Sequence, residues 1–403
     1  MDDILFLAHR IPFPPDRGDK IRSWHMLKHL GGLAKVHLAC FADDEADAAH
    51  LPALRAAMGD ALGETHVEIR RAGKAAAGLK AIAQGKPASL TMFDSAALRA
   101  YVARMLASGR IGTIFAYSGQ MAQFVPDPCP ARFVMDFVDM DSAKFSAYAA
   151  TATAPMRWIH AREAERLFAF ERATAARADA SLFVSEAEAA LFRARTGLAG
   201  IHAVSNGIDL EIFDAGADFP RLDKAARGEG PILLFTGQMD YAPNIDAVTW
   251  FAREVLPRVP GRFVIAGRNP APALCALEGE RVEVTGAVAD MRTWLAAADI
   301  VVAPLRIARG IQNKVFEAMA MARPVVASAA AFEGIEAEPG RDLIVADDAE
   351  AMSDAINGLL TAPARAFALG KAARARVELD YAWDRRLAPL NPLVAPLGKR
   401  AAA

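Results

Sequence analysis

One short segment, GIQNKVFEAMAMARPVVAS at residues 310–328, places a basic and an acidic side chain on the first turn of a predicted helix. Lys314 and Glu317 are three residues apart, so a helix presents both on one face. Gly310 would let a ligand approach the backbone, and the N–H groups from Ile311 to Lys314 would bind an anion at the helix start. The spacing could hold the diphosphate and ribose of a nucleotide, although a surface ion pair explains it equally well.

A second charged segment, HRIPFPPDRGDKIRSWHM at residues 9–26, follows the first strand-like run. Its prolines stiffen the loop, Gly18 allows close approach of a ligand, and Asp19 is expected to cap a helix that starts near Lys20. Arg17 and Lys20 could face an anionic ligand, although for either residue alone ordinary surface charge is the commoner explanation.

Acidic residues end a later strand-like run, MDFVDMDS at residues 135–142. Asp139 and Asp141 form a D-x-D pattern, whose hard oxygen ligands could bind a divalent metal. Two acids at this spacing are weak evidence, and the nucleotide-binding features lie far along the chain, so a metal-free site is favoured. Asp136 and Asp139 could instead line a substrate site, or could be strand-end caps without a function.

Short apolar runs recur along the chain, and each is followed by a polar or glycine-containing loop and a helical pattern. Runs of this kind are typical of buried parallel strands in βαβ units. The first series is DILFLAH, VHLACF, TIFAYS, RFVMDFV, ASLFVS and IHAVSNG, and the second is PILLFTG, RFVIAG, VEVTG, DIVVAPL, RPVVAS and DLIVAD. The sequence therefore predicts an α/β protein with two doubly wound sheets, and ligand binding beyond the carboxyl ends of their strands.

Two domains are expected from a length of 403 residues. Residues 206–230 are rich in Gly and Asp and carry no strand-like run, so they are predicted to be an interdomain linker. The first domain is then residues 1–205 and the second is residues 231–379. The segment 380–403 begins helically, breaks at prolines and is expected to pack back on the first domain.

The bulk properties exclude several classes of protein. Lys and Arg number 46 against 48 Asp and Glu, so no basic field predicts a nucleic-acid partner. Three cysteines without a C-x-x-C pair argue against a disulfide framework and favour a reducing cytoplasm. No basic signal-peptide start and no apolar stretch of ~18 residues occurs, so any membrane contact is expected to be peripheral. Dinucleotide, P-loop, zinc-protease and nucleophile-elbow motifs are absent from the sequence.

Several segments resemble, in the same order, those of GT-B glycosyltransferases, particularly family four of that class. RGIQNKVFEAMAMARPVVAS is similar to the donor-site motif of that family, VSNGIDLEIF to its interdomain signature, and LFTGQMDYAPNIDAVTWF to the first strand, loop and helix of its donor domain. With VEVTGAVADMRTWLAAADIVVAPL, FLAHRIPFPPDRGDKIRSWHML and FVMDFVDMDSAKF, the pattern most resembles the sugar transferases associated with PEP-CTERM/exosortase exopolysaccharide systems. The resemblance covers nearly the whole chain and implies two Rossmann-like domains that face each other across a cleft.

The resemblance also implies roles for individual residues. Arg17, Lys20 and Asp136 are expected on the acceptor side, and Asp139 is the first-domain candidate for catalysis. The predicted donor-binding residues are Gly18, Gly237, Gln238, Asn244, Val288, Gly310, Ile311, Gln312, Asn313, Lys314 and Glu317. Within this set, the glutamate is matched to the ribose and the valine to the nucleotide base.

The segment departs from the family pattern at two places. The earlier of two family glutamates is replaced by Arg309, and the usual donor-domain arginine and lysine fall at Gln238 and at or near Pro243 and Asn244. A pyrophosphate still needs counter-charge in a poorly solvated site. Lys314, with Arg309 and Arg306 beside it, could supply that charge, and Arg309 is the second candidate for catalysis. Solvated surface arginines are the alternative, which explains Arg306 equally well and Arg309, beside Gly310, less well.

The sequence thus predicts a retaining glycosyltransferase that moves a sugar from a nucleotide diphosphate sugar to a glycan or lipid-linked acceptor in exopolysaccharide or cell-envelope biosynthesis. No cofactor or metal is expected. The alternatives are a catalytically inactive nucleotide-sugar-binding protein and a GT-B epimerase. Peripheral contact with the inner face of the cytoplasmic membrane is a hypothesis from the expected acceptor and the basic residues 70–86, which a solvated helix explains equally well.

Overall fold

The computed structural model describes residues 2–70, 81, 84–307 and 312–395, which form two compact units. The first unit runs to Asn206 and takes in the chain again from Leu387, and the second is Gly207–Arg386. Each unit contains one parallel β-sheet with helices, so the predicted α/β fold with two doubly wound sheets is confirmed. Among the helices of these residues, none is long and apolar enough to cross a bilayer.

The first sheet has seven strands in the described part of the chain. They are β1 (Asp3–Ala8), β2 (Val36–Ala42), β3 (Leu62–Ile69), β4 (Ile111–Tyr117), β5 (Arg132–Val138), β6 (Ala180–Phe183) and β7 (Ile201–Ala203). Their order is β3-β2-β1-β4-β5-β6-β7, so the direction of winding reverses between β1 and β4. Central strands such as β2 are buried along their whole length, which explains their continuous apolar sequence.

The second sheet has six strands among the described residues. They are β8 (Ile232–Thr236), β9 (Arg262–Ala266), β10 (Val282–Gly286), β11 (Ile300–Ala303), β12 (Val325–Ala327) and β13 (Ile344–Val345). All pair in parallel in the order β10-β9-β8-β11-β12-β13. The direction of winding reverses between β8 and β11. The last residues of β8 and β9, Thr236 and Ala266, pair with each other, so both strands end at the same edge of the sheet.

Side-chain caps mark the starts of several α-helices, and a glycine ends one of them. Ser95 and Ser185 accept the N–H groups of Leu98 and Glu188 at two helix starts, and Gly197 ends the second of these helices with a φ of 70°. In chain order the helices are α1 (Gly18–Leu33), α2 (Glu45–Ala48), α3 (Leu51–Met58), α4 (Ala88–Thr91), α5 (Ala96–Ala107), α6 (Asp141–Thr151), α7 (Met156–Arg177), α8 (Glu186–Thr196), α9 (Lys224–Arg227), α10 (Ala242–Trp250), α11 (Pro272–Cys275), α12 (Met291–Ala297), α13 (Asn313–Ala320), α14 (Ala329–Phe332), α15 (Ala349–Thr361), α16 (Pro363–Asp380), α17 (Trp383–Leu387) and α18 (Asn391–Val394).

Strand β3 is absent from the predicted strands, which is an omission of the sequence analysis. It lies at the edge of the first sheet, pairs only with β2 among the described strands, and is half-buried over most of its length. An edge strand can carry polar residues, and LGETHVEI accordingly has no continuous apolar run. A search for continuous apolar segments therefore cannot find it.

The residues assigned to the linker and to the C-terminal segment divide between the units. Ile208 and Phe219 join the hydrophobic core of the second unit, and the Ile208 N–H donates to the carbonyl of Tyr381 at 2.8 Å. Residues from Leu387 onward belong to the first unit, where the Thr113 hydroxyl donates to the carbonyl of Val394 at 3.0 Å. The chain thus changes unit at two points, after residue 206 and after residue 386.

Candidate functional site

The strongest candidate site lies at the carboxyl edge of the second sheet, where the winding reverses. Strand β8 ends at Thr236 and leads through Gly237 to α10, whereas the chain after β11 leads to α13. Open α/β sheets bind ligands outside the carboxyl ends of the strands at this switch point. The first turn of α13, with its lysine and glutamate, therefore lies in the part of the sheet where a ligand is expected.

The Lys314 ammonium is held above the end of β8 by two contacts. Its Nζ donates to Oδ1 of Asn244 at 2.7 Å and lies 4.2 Å from the ring centroid of Phe235. The Asn244 amide is itself oriented, because its Nδ2 donates to the carbonyl of Gln238 at 2.8 Å. Three of the predicted donor residues are thus connected by hydrogen bonds, and the lysine keeps further N–H donors for an anion.

Two glycines make room for this arrangement. A Cβ on Gly237, whose φ is +151°, would lie 2.9 Å from Nδ2 of Asn244 and 3.3 Å from Nζ of Lys314. A Cβ on Gly267, whose φ is +157°, would lie 1.7 Å from the carbonyl oxygen of Gly237. The sequence analysis missed Gly267, although RFVIAG ends in glycine just as PILLFTG and VEVTG do, and that shared ending was the available signal.

Burial brings both ionisable groups of the site to the neutral range. Burial lowers the pKa of Lys314 to about 7, and the charge of Glu317 opposes that shift. Burial likewise raises the pKa of Glu317 to about 7, with the charge of Lys314 acting in the opposite direction. Partly buried groups with such displaced pKa values are typical of functional sites, and a bound anion would favour the charged lysine.

Other predicted donor residues surround the same edge, with one exception. Gln312 immediately precedes α13 and Asn313 is its first residue. Val288 is half-buried in the loop that follows Gly286 at the end of β10. Gly18 instead belongs to the first unit, where it begins α1 and no heavy atom lies within 4 Å of the place where its Cβ would be.

Of the two arginines expected to assist the lysine, the structure describes Arg306 and not Arg309. Arg306 is exposed, and its Nε donates to Oδ2 of Asp246 at 2.9 Å. Its guanidinium thus pairs with an aspartate at the surface, and its share in the diphosphate counter-charge stays a prediction. Arg309, Gly310 and Ile311 lie outside the residues that the structure describes.

In the first unit, Asp136 lies in the protein interior rather than at a substrate surface. Its side chain is 0% exposed, and its carboxylate accepts from Nε of Arg22 at 3.0 Å and from the N–H of Val138 at 3.0 Å. Arg22 is 1% exposed and also donates to Oδ1 of Asn206 at 2.9 Å. Because the protein itself satisfies this carboxylate, the geometry gives Asp136 a structural role and does not support its place on the acceptor side.

The loop after β1 also differs from the expectation. Helix α1 begins at Gly18 without a side-chain cap, so Asp19 does not cap it. The Asp19 carboxylate instead accepts from Nη1 of Arg10 at 2.6 Å. Lys20 is buried and donates to Oδ1 of Asp47 at 2.5 Å, so its ammonium is occupied by an acid of the protein.

Arg17 and Asp139 keep exposed surface in the first unit. Arg17 donates to Oδ2 of Asp43 at 2.9 Å, and its side chain is about one-third exposed at 34%. Asp139 is exposed and follows Val138, whose φ of 70° is rare for a β-branched residue. Strain of this kind is often found at functional sites, and it marks Val138 as a position that the sequence patterns did not reveal.

A metal site has no support from clustered ligands. Within the described ranges, no group of three His, Cys, Asp or Glu side chains could hold a metal ion. Two predictions therefore stay untested. One is that Asp139 and Asp141 bind no metal, and the other is that sugar transfer needs no metal.

Comparisons with known proteins agree with this geometry. Residues 230–362, which include β8 to β13, α10 and α13, match the family described as "Glycosyl transferases group 1". The matched part of the chain is thus similar to a group 1 glycosyltransferase domain. No curated protein sequence matches the chain.

Solved structures extend the comparison beyond that domain. Sucrose-phosphate synthase from Thermosynechococcus elongatus has 19% identity and a TM-score of 0.69, with 98% of each chain covered. Anabaena HepE in complex with UDP and glucose has 14% identity and a TM-score of 0.66, with 98% of this chain and 100% of that chain covered. WaaG, a glycosyltransferase involved in lipopolysaccharide biosynthesis, has 15% identity and a TM-score of 0.65, with the same coverage.

At these identities the structural likeness establishes the fold, which is GT-B. Together with the group 1 glycosyltransferase domain, it makes the chain a glycosyltransferase. The domain contains the Lys314, Asn244 and Glu317 site at its switch point. The predicted enzyme class is therefore confirmed, whereas the roles of the individual residues stay predictions.

Proposed function

We propose that this glycosyltransferase is a retaining enzyme that transfers a sugar from a nucleotide diphosphate sugar to a hydroxyl of a glycan or lipid-linked acceptor. The observation that carries the proposal is the Lys314 ammonium, held by Asn244 over the end of β8 at the switch point of the sheet. HepE forms complexes with UDP and glucose and with UDP-glucose, which supports a nucleotide sugar as the donor here.

The diphosphate would be bound by the lysine of α13 in place of the basic residues missing at Gln238 and Asn244. In the free protein, the ammonium donates to Asn244 at 2.7 Å, and in the complex it would donate to a phosphate oxygen. A preoriented charge in a poorly solvated site stabilises the negative leaving group more than a solvated charge does. Glu317, on the same face of α13, would accept hydrogen bonds from the ribose hydroxyls.

Two residues are the candidates for the sugar-transfer step. Arg309 would stand near the transferred sugar and add positive charge beside the diphosphate. Asp139 would be the group that the first unit contributes, at the strained turn after β5. Transfer would proceed with retention of anomeric configuration and without a metal or cofactor.

The biological setting follows from the resemblance of the whole sequence. We place the enzyme in exopolysaccharide or cell-envelope biosynthesis, in the cytoplasm and at the inner face of the cytoplasmic membrane. Its acceptor would then be presented by a lipid carrier. The similarity to PEP-CTERM/exosortase-associated transferases supports this setting.

A thermal-shift panel of UDP, GDP, dTDP and ADP tests the donor site. A ligand at about 100 times its dissociation constant stabilises the folded protein by about 2.7 kcal/mol, so the cognate nucleotide should stand apart from the other three. Labelled nucleotide sugars of that base then separate the alternatives: transfer to an acceptor, an isomerised donor, or binding alone. Absence of stabilisation by every nucleotide would refute the donor site.

Binding of the nucleotide sugar is expected to be strongest near pH 7 and to weaken on both sides. Above pH 7 the free site holds neutral Lys314, whose pKa is about 7, so binding the diphosphate must take up a proton. Below pH 7 the free site holds protonated Glu317, whose pKa is also about 7, so binding ribose must release a proton. On each side of pH 7, the fall in the association constant should approach about tenfold per pH unit.

Calorimetric titrations between pH 5 and pH 9 measure this dependence, and a nucleotide sugar is the suitable ligand because its diphosphate diester has no group that titrates near neutrality. Lys314→Arg should remove the alkaline limb, since a guanidinium stays charged. Glu317→Gln should remove the acidic limb. A flat profile for the unmodified enzyme contradicts the assignment of both groups.

A further inference from the structure

The hairpin of helices α6 and α7 exposes an apolar surface that the transfer site does not use. Every residue from 153 to 159 is exposed, including Trp158 at 73%, Ile159 at 55% and Met156 at 46%. Tyr148 of α6 is 45% exposed, and its ring lies 5.8 Å from that of His160 of α7. We call these residues, 148 and 153–159, the hairpin tip. Four of the ten large apolar side chains exposed in the described chain belong to it.

The base of the hairpin is fixed to the first unit, so the exposed tip is held in place. Glu171 on the inner face of α7 accepts from the N–H of Ser142 at 3.0 Å, and burial raises its pKa to about 7. Glu163 accepts from the N–H groups of Ala88 and Ser89 at 2.9 and 3.0 Å. Glu171 thus joins the two helices at one end of the hairpin, and Glu163, four residues after Ile159, joins α7 to the start of α4. The opposite end carries the apolar side chains outward.

The charges around the tip have one sign. Residues 142–162 contain no Asp or Glu, and their charged residues are Lys144, Arg157 and Arg162. Lys144 and Arg157 are exposed, whereas Arg162 is half-buried and donates to the carbonyl of Ala81 at 3.2 Å. An apolar tip with an indole, a phenol and an exposed arginine, on a segment of residues 142–162 without an acid, matches the apolar interior and negative surface of an anionic bilayer.

We propose that the hairpin tip is a membrane-contact surface that inserts Met156, Trp158 and Ile159 into the interface of an anionic lipid bilayer. Arg157, next to Trp158, would then lie at the lipid phosphates. This proposal rests on the proposed function only for its biological reason, which is a lipid-linked acceptor. Its physical basis is the exposed apolar surface of the tip. It locates the membrane contact at the hairpin tip, whereas most of the basic residues 70–86 lie outside the described chain.

A second copy of the chain is the less favourable occupant of this surface. A two-fold symmetric contact between tips would bring the same basic residues of both copies together. Like charges placed against each other oppose association, and an anionic bilayer has the opposite sign. The exposed phosphates of a lipid surface therefore fit the basic residues that a second copy would repel.

Co-sedimentation of the full chain with vesicles tests the proposal. Vesicles of phosphatidylcholine with phosphatidylglycerol should bind the protein at low salt and release it at high salt, and vesicles of phosphatidylcholine alone should bind it more weakly. Combined Trp158→Ser and Ile159→Ser should weaken binding about tenfold or more, since both apolar contacts are lost. Arg157→Glu should weaken binding to anionic vesicles by roughly tenfold or more, because each basic residue contributes roughly fivefold.

Phe367→Ser is the matched control, because Phe367 is also 73% exposed but belongs to the second unit. It should bind vesicles as the unmodified protein does. Thermal unfolding of all variants, measured without and with nucleotide, checks folding and keeps this proposal separate from the proposed function. Vesicle binding that depends on the tip stands even when no nucleotide binds. Equal binding by the Trp158→Ser, Ile159→Ser variant overturns the proposal, and so does a dimer, detected by light scattering, that this variant abolishes.

Discussion

Replacing Lys314 by methionine is expected to weaken nucleotide diphosphate binding at least a hundredfold and to lower sugar transfer by a similar or larger factor. Methionine keeps an unbranched apolar stem over Phe235 but removes the ammonium that donates to Asn244 at 2.7 Å. Loss of one preorganised donor to a developing anion typically lowers turnover by about 10²–10³-fold. Titration calorimetry and an initial-rate assay measure the two effects.

Lys371→Met is the control for that substitution. Lys371 is exposed on α16 of the same unit, so its loss should leave binding and transfer unchanged. An exchange variant then tests whether the ammonium must be carried by residue 314. Asn244→Lys combined with Lys314→Asn puts the ammonium on the other side of the same hydrogen bond and should recover part of the binding. Near-normal transfer by Lys314→Met alone would contradict the phosphate assignment.

The fold could be predicted from the sequence because most of its strands are buried and therefore carry continuous apolar runs. Twelve strand-like runs were recognised, and each contains residues of a strand in one of the two parallel sheets. Strand β3 was missed because an edge strand has one unpaired side and carries polar residues. Packing of residues 380–403 on the first domain is expected from the sequence, but the exact point of the change, after residue 386, has no local signal because it depends on contacts with distant parts of the chain.

The candidate site could be predicted only where spacing along one element decides the geometry. Lys314 and Glu317 share a face because they lie on one helix, and that relation is visible in the sequence. The contact of Lys314 with Asn244, 70 residues away, depends on the order of the strands. The partners of Lys20 and Arg306 were likewise invisible, because each cation meets an acid from another element.

Asp136→Ala is the second substitution with a large expected effect, and it should act on stability rather than directly on transfer. The change leaves Arg22 buried with no carboxylate, and removing one partner of a buried ion pair costs about 3–5 kcal/mol. That loss is a large part of the 5–15 kcal/mol by which a domain is typically stable. Urea unfolding should therefore show a first unit that unfolds at much lower denaturant concentration.

Two comparisons decide between a structural and a substrate-binding role for Asp136. Asp136→Leu combined with Arg22→Met removes both charges, and it should recover much of the stability that Asp136→Ala loses, because an apolar pair needs no partner. Asp139→Ala, at an exposed position three residues later, should change the free energy of unfolding by about 0.5 kcal/mol or less. If Asp139→Ala abolishes transfer while nucleotide binding is kept, the first unit contributes to the reaction through Asp139. Normal stability with lost transfer in Asp136→Ala would instead return the substrate-binding role to the buried aspartate.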